Sequence, residues 1–383
     1  MKISTLLNRF SLISIICIVS IQPTTAQNRK KSWLGRQVHR ILHDTASAGQ
    51  PSTTAYPTLG NTPETGLEIG VLGLKLFRVN KDTLNRLSEL QALAFVTFKA
   101  QYGLWLDNTV YTDQNKWFFL GRTRIQRFPL FYYGIGPDTD GDKHAVVDGF
   151  NVVLRQRALR KIINNLYLGP ELDFQSLSGV NFRQPDKGRF KLPTGNNGST
   201  NLGAGLALVF DNRPNVLNVR EGFFSEVSYL HYWSSLGRNN SFNSINVDVR
   251  SFHPLSKRNV FAWQLVGNFQ TGNIPFNQLA LMGGDMIMRG YYQGRYRDQN
   301  LIAAQAEFRM LPFAFHKRLG AAVFAGSAMV APAINRFSLR QVRPAAGFGL
   351  RYLLFPKKDI FIRFDIGFTP EGSSLYIFNG EAF

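Results

Sequence analysis

Residues 360–368 read IFIRFDIGF. Ile360, Ile362, Phe364, Ile366 and Phe368 share one face of an extended chain, and Arg363, Asp365 and Gly367 share the other, which is the period of a β-strand. The pattern returns with Ile245, Val247 and Val249 against Asn246, Asp248 and Arg250, and again with Phe261, Trp263, Leu265 and Phe269 against Gln264, Asn268 and Gln270. A soluble sandwich hides its apolar faces and scatters Lys, Asp and Glu freely outside. Here the polar face is narrower and carries Gln, Asn, Gly and paired charges, as expected of strands with lipid outside and a lumen inside.

The composition agrees. Of 383 residues, 13% are aromatic and 34 are glycine. Residues 1–26 have the parts of a secretory leader: Lys2 and Arg9, the apolar run Leu12 to Ile21, and small residues Thr24 to Ala26. Cys17, the only cysteine, lies within that run. Its neighbour Ile16 argues against lipidation, so the exported chain is expected to carry no thiol chemistry and no cysteine-bound metal. Beyond the leader no apolar stretch approaches the roughly 20 residues of a membrane helix. The formal charge of +19 includes Lys2 and Arg9, which leaves +17 after export. For an exported chain nucleic acid is a poor partner; a solvated rim with a basic lumen, or attraction to lipid phosphates and lipopolysaccharide, remain.

Alternating segments predict an all-β transmembrane antiparallel β-barrel of about sixteen strands over 54–383. The strands start near residues 54, 66, 88, 102, 116, 144, 163, 200, 221, 242, 258, 300, 319, 341, 359 and 374. With periplasmic termini, the long connections 128–143, 177–199 and 273–299 fall outside and the short ones, 254–258 and 356–358, inside. Residues 27–53 form a short periplasmic segment. There Leu34, Val38, Ile41 and Leu42 predict a basic amphipathic helix, on the inner leaflet or in the barrel mouth.

The connection GGDMIMRGYYQGRYRDQNLIAAQAEFR (283–309) is too long and too rich in Met, Ile and Tyr for a solvated hairpin. Its Arg289 cannot deprotonate, so inside a barrel it needs a carboxylate or a wet lumen. Glu307 shares its strand face with Gln305 and Arg309, on the lumen side if Ile302, Ala306 and Phe308 face lipid. An Arg289–Glu307 pair would pin the loop to the inner wall.

Five segments in order carry a family resemblance: FYYGIGPDTD (131–140), DNRPNVLNVREGFFSEVSY (211–229), GGDMIMRGY (283–291), GLRYLLFP with RFDIGF (349–368), and FNGEAF (378–383). They resemble the BamA/TamA superfamily of outer-membrane barrels (bacterial surface antigens), as a barrel without the periplasmic docking (POTRA) domains. The resemblance implies a multi-pass protein of the bacterial outer membrane with no cofactor, and an inward-folded loop built on Gly283, Gly284, Arg289, Gly290 and Tyr291. It also implies a function in inserting or translocating client proteins, or lipids, with outer-membrane lipid and a periplasmic partner around it. The family's loop arginine braces against wall acids, often including a second acid in an FxDxG strand. Here that stretch reads Phe324, Ala325, Gly326, Ser327, Ala328, so the brace is expected to have fewer partners. The family's lateral seam implies a weak closing strand, for which Pro57, Gly66, Gly70 and Gly73 near the start and a bulge at Gly380 before Phe383 are the sequence signs.

Other signals are weaker. His39 and His43 share a helix face but lack a third ligand or a catalytic glutamate. Asp138, Asp140 and Asp142 alternate like the opening of a calcium loop, yet Gly141 is misplaced and no closing glutamate follows. There is no GxSxG, and His231 and His253 show no nucleophile partner in the sequence, so no enzymatic activity is expected. The competing reading is a passive, anion-preferring outer-membrane pore.

Overall fold

The computed structural model describes residues 50–383 apart from 83–84, 128, 186–187, 215–217 and 235–239. The leader, the segment holding Leu34, Val38, Ile41 and Leu42, and the His39/His43 pair lie outside the described residues. In chain order the strands are β1 (Ser52–Thr62), β2 (Gly66–Phe77), β3 (Ser88–Thr97), β4 (Tyr102–Tyr111), β5 (Trp117–Arg127), β6 (Leu130–Tyr132), β7 (Ala145–Ile163), β8 (Leu166–Arg183), β9 (Ser199–Asp211) and β10 (Gly222–Ser234). There follow β11 (Phe242–Pro254), β12 (Asn259–Gly272), β13 (Ala280–Met282), β14 (Tyr296–Asp298), β15 (Asn300–Met310), β16 (Leu319–Ala331), β17 (Arg343–Phe355), β18 (Ile360–Thr369) and β19 (Gly372–Asn379). Sixteen of these close antiparallel into a barrel; β6 extends the sheet beside β7, and β13 pairs only with β14. Each barrel strand begins within three residues of its expected start.

Burial shows which face is which. Leu350 is 58% exposed while its neighbour Arg351 is fully buried. That inversion is what a lipid-facing outside and a filled inside require. On β15, Leu301, Ala303, Gln305, Glu307 and Arg309 are buried, while Ile302, Ala304, Ala306 and Phe308 alternate outward. On β18, Phe361, Arg363, Asp365 and Gly367 take the inner face.

The ring is uneven. All other barrel neighbours pair over at least eight residues, the shortest being β3–β4 and β18–β19. The closing pair β1–β19 registers at one position, Asn61 opposite Ile377.

Expectation and structure part at the chain's end. Gly380 and Phe383 do not belong to a bulged closing strand, because β19 ends at Asn379. Gly380, at φ 82°, turns the chain off the sheet, and its N–H donates to Phe361 O (2.8 Å). Phe383 is buried in a cluster with Val219, Phe252, Val260 and Ala262, inside the barrel. An aromatic ring over the Arg309 guanidinium at 5.1 Å favours the inward choice, adding a second π face to that of Phe252 at 5.8 Å.

Candidate functional site

The connection between β12 and β15 enters the lumen as a doubled-back segment. Strands β13 and β14 form its stem, and Gly283 and Gly284, at φ 108° and 109°, begin the reversal. A Cβ on Gly283 would lie 2.1 Å from Tyr292 O, so the two limbs approach in a way only glycine allows. The apolar side chains that looked wrong for a solvated loop have a wall to cover. Met282, Met288, Tyr291 and Tyr296 pack on Leu301, Ala303, Ala328, Val330 and Ala345, the small inner residues of β15, β16 and β17.

Polar anchors fix the segment at successive heights. Gln305 Nε2 donates to Met286 O (2.6 Å), and Arg363 holds Asp285 through its carbonyl (3.1 Å) and carboxylate (3.2 Å). Gly290 lies against β18 and β19, where its N–H donates to Tyr376 Oη (3.0 Å) and its carbonyl accepts from Ser374 Oγ (2.9 Å). The Tyr376 hydroxyl donates in turn to Tyr291 O (3.1 Å). Gly367 makes the seat possible, since a Cβ there would meet Arg289 O at 2.4 Å.

At the centre, Arg289 is completely buried and donates to both Glu307 and Asp365, the latter at 2.5 Å. Its guanidinium lies 3.5 Å from the ring centre of Phe324. The second acid therefore exists, and the expectation of a thinner brace is corrected. It comes from β18, where Asp365 faces inward, instead of from β16, where Gly326 leaves room. A Cβ at Gly326 would come within 2.9 Å of Ala304 O.

The two acids are shared. Glu307 also accepts from Arg309 (3.0 Å) and Arg351 (3.2 Å), and Asp365 from Arg351 (2.5 Å) and Arg363 (3.3 Å). Glu381, from the turned-in chain end, receives Arg351 (2.9 Å) and lies 3.8 Å from Arg309. With Asp285, four arginines face four carboxylates in a buried net. That balance matters, because an unmatched ion buried at low dielectric costs several kcal/mol. Sequence reading puts Arg363 and Asp365 on the polar face of their strand but joins neither them nor Arg351 and Glu381 to Arg289. The available signal was a charge recurring between lipid-facing aromatics, which must find an opposite charge inside.

Elsewhere on the inner wall arginines also meet acids. Arg124 pairs with Asp107 (2.8 Å), Arg155 with Asp173 (2.5 Å), Arg157 with Glu171 (2.9 Å) and Glu226 (2.6 Å), and Arg250 with Asp248 (2.5 Å). The turns after β9 and β17 meet at the barrel end opposite the inward loop's stem, where Arg220 grips Asp359 through two 2.9 Å bonds.

The outer half of the segment closes against other loops. Phe131 stacks on Tyr292 at 4.7 Å, and Gly136 N donates to Arg297 O (2.8 Å). Arg295 reaches Glu371 (2.5 Å) and Thr139 O (2.9 Å). Arg297 takes backbone carbonyls instead of acids, with Phe131 O at 2.7 Å, and burial draws its guanidinium down to about 10, still cationic at neutral pH. The Asp138 tip is met by Arg343 (3.3 Å).

His231 and His253 both have a hydroxyl beside them, contrary to the sequence reading. Ser241 Oγ lies 3.4 Å from His231 Nε2, and Asn243 Oδ1 lies 2.8 Å from His231 Nδ1. Ser241 Oγ donates to Tyr232 O at 3.0 Å, so its proton is already committed to the backbone. At His253, Ser251 Oγ is 2.9 Å from Nε2.

The same architecture recurs in solved structures. BamA from Haemophilus ducreyi lacking POTRA domains 1–3 superposes with a TM-score of 0.55 at 12% identity, over 86% of this chain and 70% of that one. CdiB from Acinetobacter baumannii gives 0.53 at 11% identity, over 85% of this chain and 59% of its own, and CdiB from Escherichia coli 0.52 at 10%, over 89% and 70%. These identities establish a common fold. No curated protein sequence matches. The Omp85 superfamily domain matches residues 149–368, more than half of the chain. That span runs from β7 to the end of β18 and contains the inward loop, Glu307 and Asp365, so the chain is an outer-membrane β-barrel belonging to the Omp85 superfamily.

Proposed function

We propose that this barrel inserts or translocates other proteins at the outer membrane through the junction of β1 and β19, with the Arg289 loop holding the inner wall in the competent shape. The observation that carries the reading is the single register position at that junction, Asn61 opposite Ile377. Unpaired strand edges in hydrocarbon cost several kcal/mol per backbone group. A seam with one pair has little to lose on opening, and an incoming strand has much to satisfy. The side-chain bond from Asn61 Nδ2 to Leu375 O (2.8 Å) is an added latch that opening must release.

The length of β19 supports local thinning of the bilayer. Its eight residues span about 27 Å at ~3.4 Å each, and a tilt of about 40° leaves about 20 Å of height, less than the ~25 Å apolar band of such barrels. Lipid beside the seam must then compress, which lowers the barrier to a client strand. Residues 27–53 stand in this reading as a periplasmic segment, and a separate periplasmic partner supplies client docking.

The test uses purified full-length protein in liposomes and a client barrel whose folding is followed by its gel shift. Asn61→Cys with Ile377→Cys places thiols at directly opposed positions, about 4.5–5.5 Å apart at Cα, within the disulfide range of ~4.4–6.8 Å. The reduced pair should accelerate client folding, the oxidised pair should not, and reductant should restore it. Equal rates in both states, or no acceleration by the native chain, would overturn the reading. A large, steady, anion-selective conductance in planar bilayers would favour the pore instead.

A further inference from the structure

At the periplasmic edge of the barrel the turns after β11 and β15 enclose an apolar groove of about 530 Å³. Met310, Pro312, Phe313 and Phe315 supply its apolar lining, and Lys257 and Arg258 stand at its margin. The groove is on the lipid side. Asn259 and Met310, which pair with each other, have outward parity, and the next outward pair above them is Phe261 and Phe308.

The groove is built, not incidental. Leu311 N donates to Arg258 O (2.8 Å), tying one turn to the other, and Phe313 N donates to Leu319 O (2.7 Å). From beneath, Arg220 Nη1 donates to Leu311 O (2.9 Å) while its other nitrogens hold Asp359. Phe313 and Phe315 stack at 4.9 Å and 11°, and Phe315 is 85% exposed. Leaving a ring of that size in water forfeits the favourable free energy of burying it. At the foot of a membrane barrel, a hydrocarbon phase is within reach to cover it.

The charge around the groove has one sign. PLSKRN (254–259) and LPFAFHKRL (311–319) contain Lys257, Arg258, Lys317 and Arg318 and no Asp or Glu. All four cations are exposed. An apolar slot at the bilayer edge, with Lys257 and Arg258 in its lining and Lys317 and Arg318 exposed on the turn that carries its aromatic wall, matches an amphiphile with a phosphate head and an acyl tail. Its volume lies within the roughly 300–1,000 Å³ of small-molecule sites. We infer that this groove is a binding site for an anionic glycerophospholipid of the periplasmic leaflet, its phosphate held by the Lys257/Arg258 and Lys317/Arg318 pairs and one acyl chain laid along Met310 and the Phe313–Phe315 stack. The site is independent of seam opening.

Native mass spectrometry of the full chain in detergent tests it, with dioleoyl phosphatidylglycerol, dioleoyl phosphatidylcholine and inorganic phosphate as separate probes. Phosphatidylglycerol should be retained about tenfold more strongly than phosphatidylcholine, and phosphate should not be retained. Replacing Lys257, Arg258, Lys317 and Arg318 together by Ala should abolish that preference while phosphatidylcholine retention stays unchanged. Phe313→Ser with Phe315→Ser should lower retention of both lipids. These residues are exposed, or partly so for Phe313, and the gel shift of the folded barrel verifies that each variant is intact. Equal retention of the two lipids by the native chain, an unchanged preference in the fourfold variant, or retention of phosphate alone would overturn the assignment. So would loss of a co-purifying protein from the fourfold variant with lipid preference intact.

Discussion

Replacing Arg289 by Ala is the sharpest test of the braced loop, and the net around it sets the size of the effect. The substitution removes the donor to Glu307 and Asp365 and the cation 3.5 Å from the Phe324 ring. Neither acid is stranded, because Glu307 keeps Arg309 and Arg351 while Asp365 keeps Arg351 and Arg363. The cost therefore falls at the low end of the ~3–5 kcal/mol for breaking a buried pair, about 3 kcal/mol. At about 1.4 kcal/mol per decade this raises the undocked population of the loop roughly a hundredfold. Amide hydrogen exchange in purified protein reads it directly at Gly284, Gly290 and Tyr291, whose N–H groups bond Tyr291 O, Tyr376 Oη and Met288 O. Exchange there should accelerate by about that factor, while β7 and β8 keep their protection. Arg289→Lys should recover only part, since an ammonium lacks the planar fork that serves two acids. Acceleration below about threefold, or the same acceleration in β7 and β8, would refute the claim that this arginine holds the loop.

Gly367→Ala should lift the loop without touching any charge. The new Cβ would lie 2.4 Å from Arg289 O and 2.6 Å from Gly290 N, a backbone clash costing about 1–3 kcal/mol, seen as exchange at Gly290 with the salt-bridge residues intact. Glu64, in the turn after β1, accepts from Gln293 N (2.6 Å), and burial holds its carboxyl above the usual carboxylate range. A raised value means that the folded protein binds the proton more tightly. The resulting stability is complete below the ordinary glutamate pKa of about 4.3 and is lost as pH rises through the shifted value. The midpoint of the thermal gel shift should therefore fall as pH rises through that window, and Glu64→Gln should flatten the dependence; an identical slope in both proteins would remove Glu64 from the account.

The barrel was legible because its physics is local. Each strand repeats one rule, apolar outward and polar inward, so IFIRFDIGF reports its own two faces without reference to any neighbour. The loop was legible as an anomaly, too apolar for water and carrying an arginine that cannot be neutralised. Strand parity disclosed one of the acids that answer it, Glu307, but not the second, Asp365. Glu307 is 18 positions from Arg289 and Asp365 is 76, and only the closing of the ring brings β18 to the same depth as β15. The chain end misled for a related reason. A bulge at Gly380 would have kept FNGEAF in the strand, but Gly380 at positive φ turns the chain off the sheet, and Glu381 finds Arg351 inside.

In the proposed function, loop and seam act as one mechanical unit. β19 is one wall of the seam, and its Tyr376 and Ser374 side chains hold Gly290 through bonds of 3.0 and 2.9 Å. Parting β19 from β1 to admit another strand requires about 4.8 Å, the spacing of neighbouring strands. If β19 makes that movement it stretches both bonds beyond the roughly 3.2 Å limit of a hydrogen bond, and β18, paired with β19 over eight residues, carries Asp365 with it. Arg289 must then follow the moving wall or give up one of its two acids. If β1 moves instead, the loop stays seated. In the proposed function the brace therefore biases opening toward β1, whose 11 residues pair with β2 and which meets the loop through the Glu64 turn.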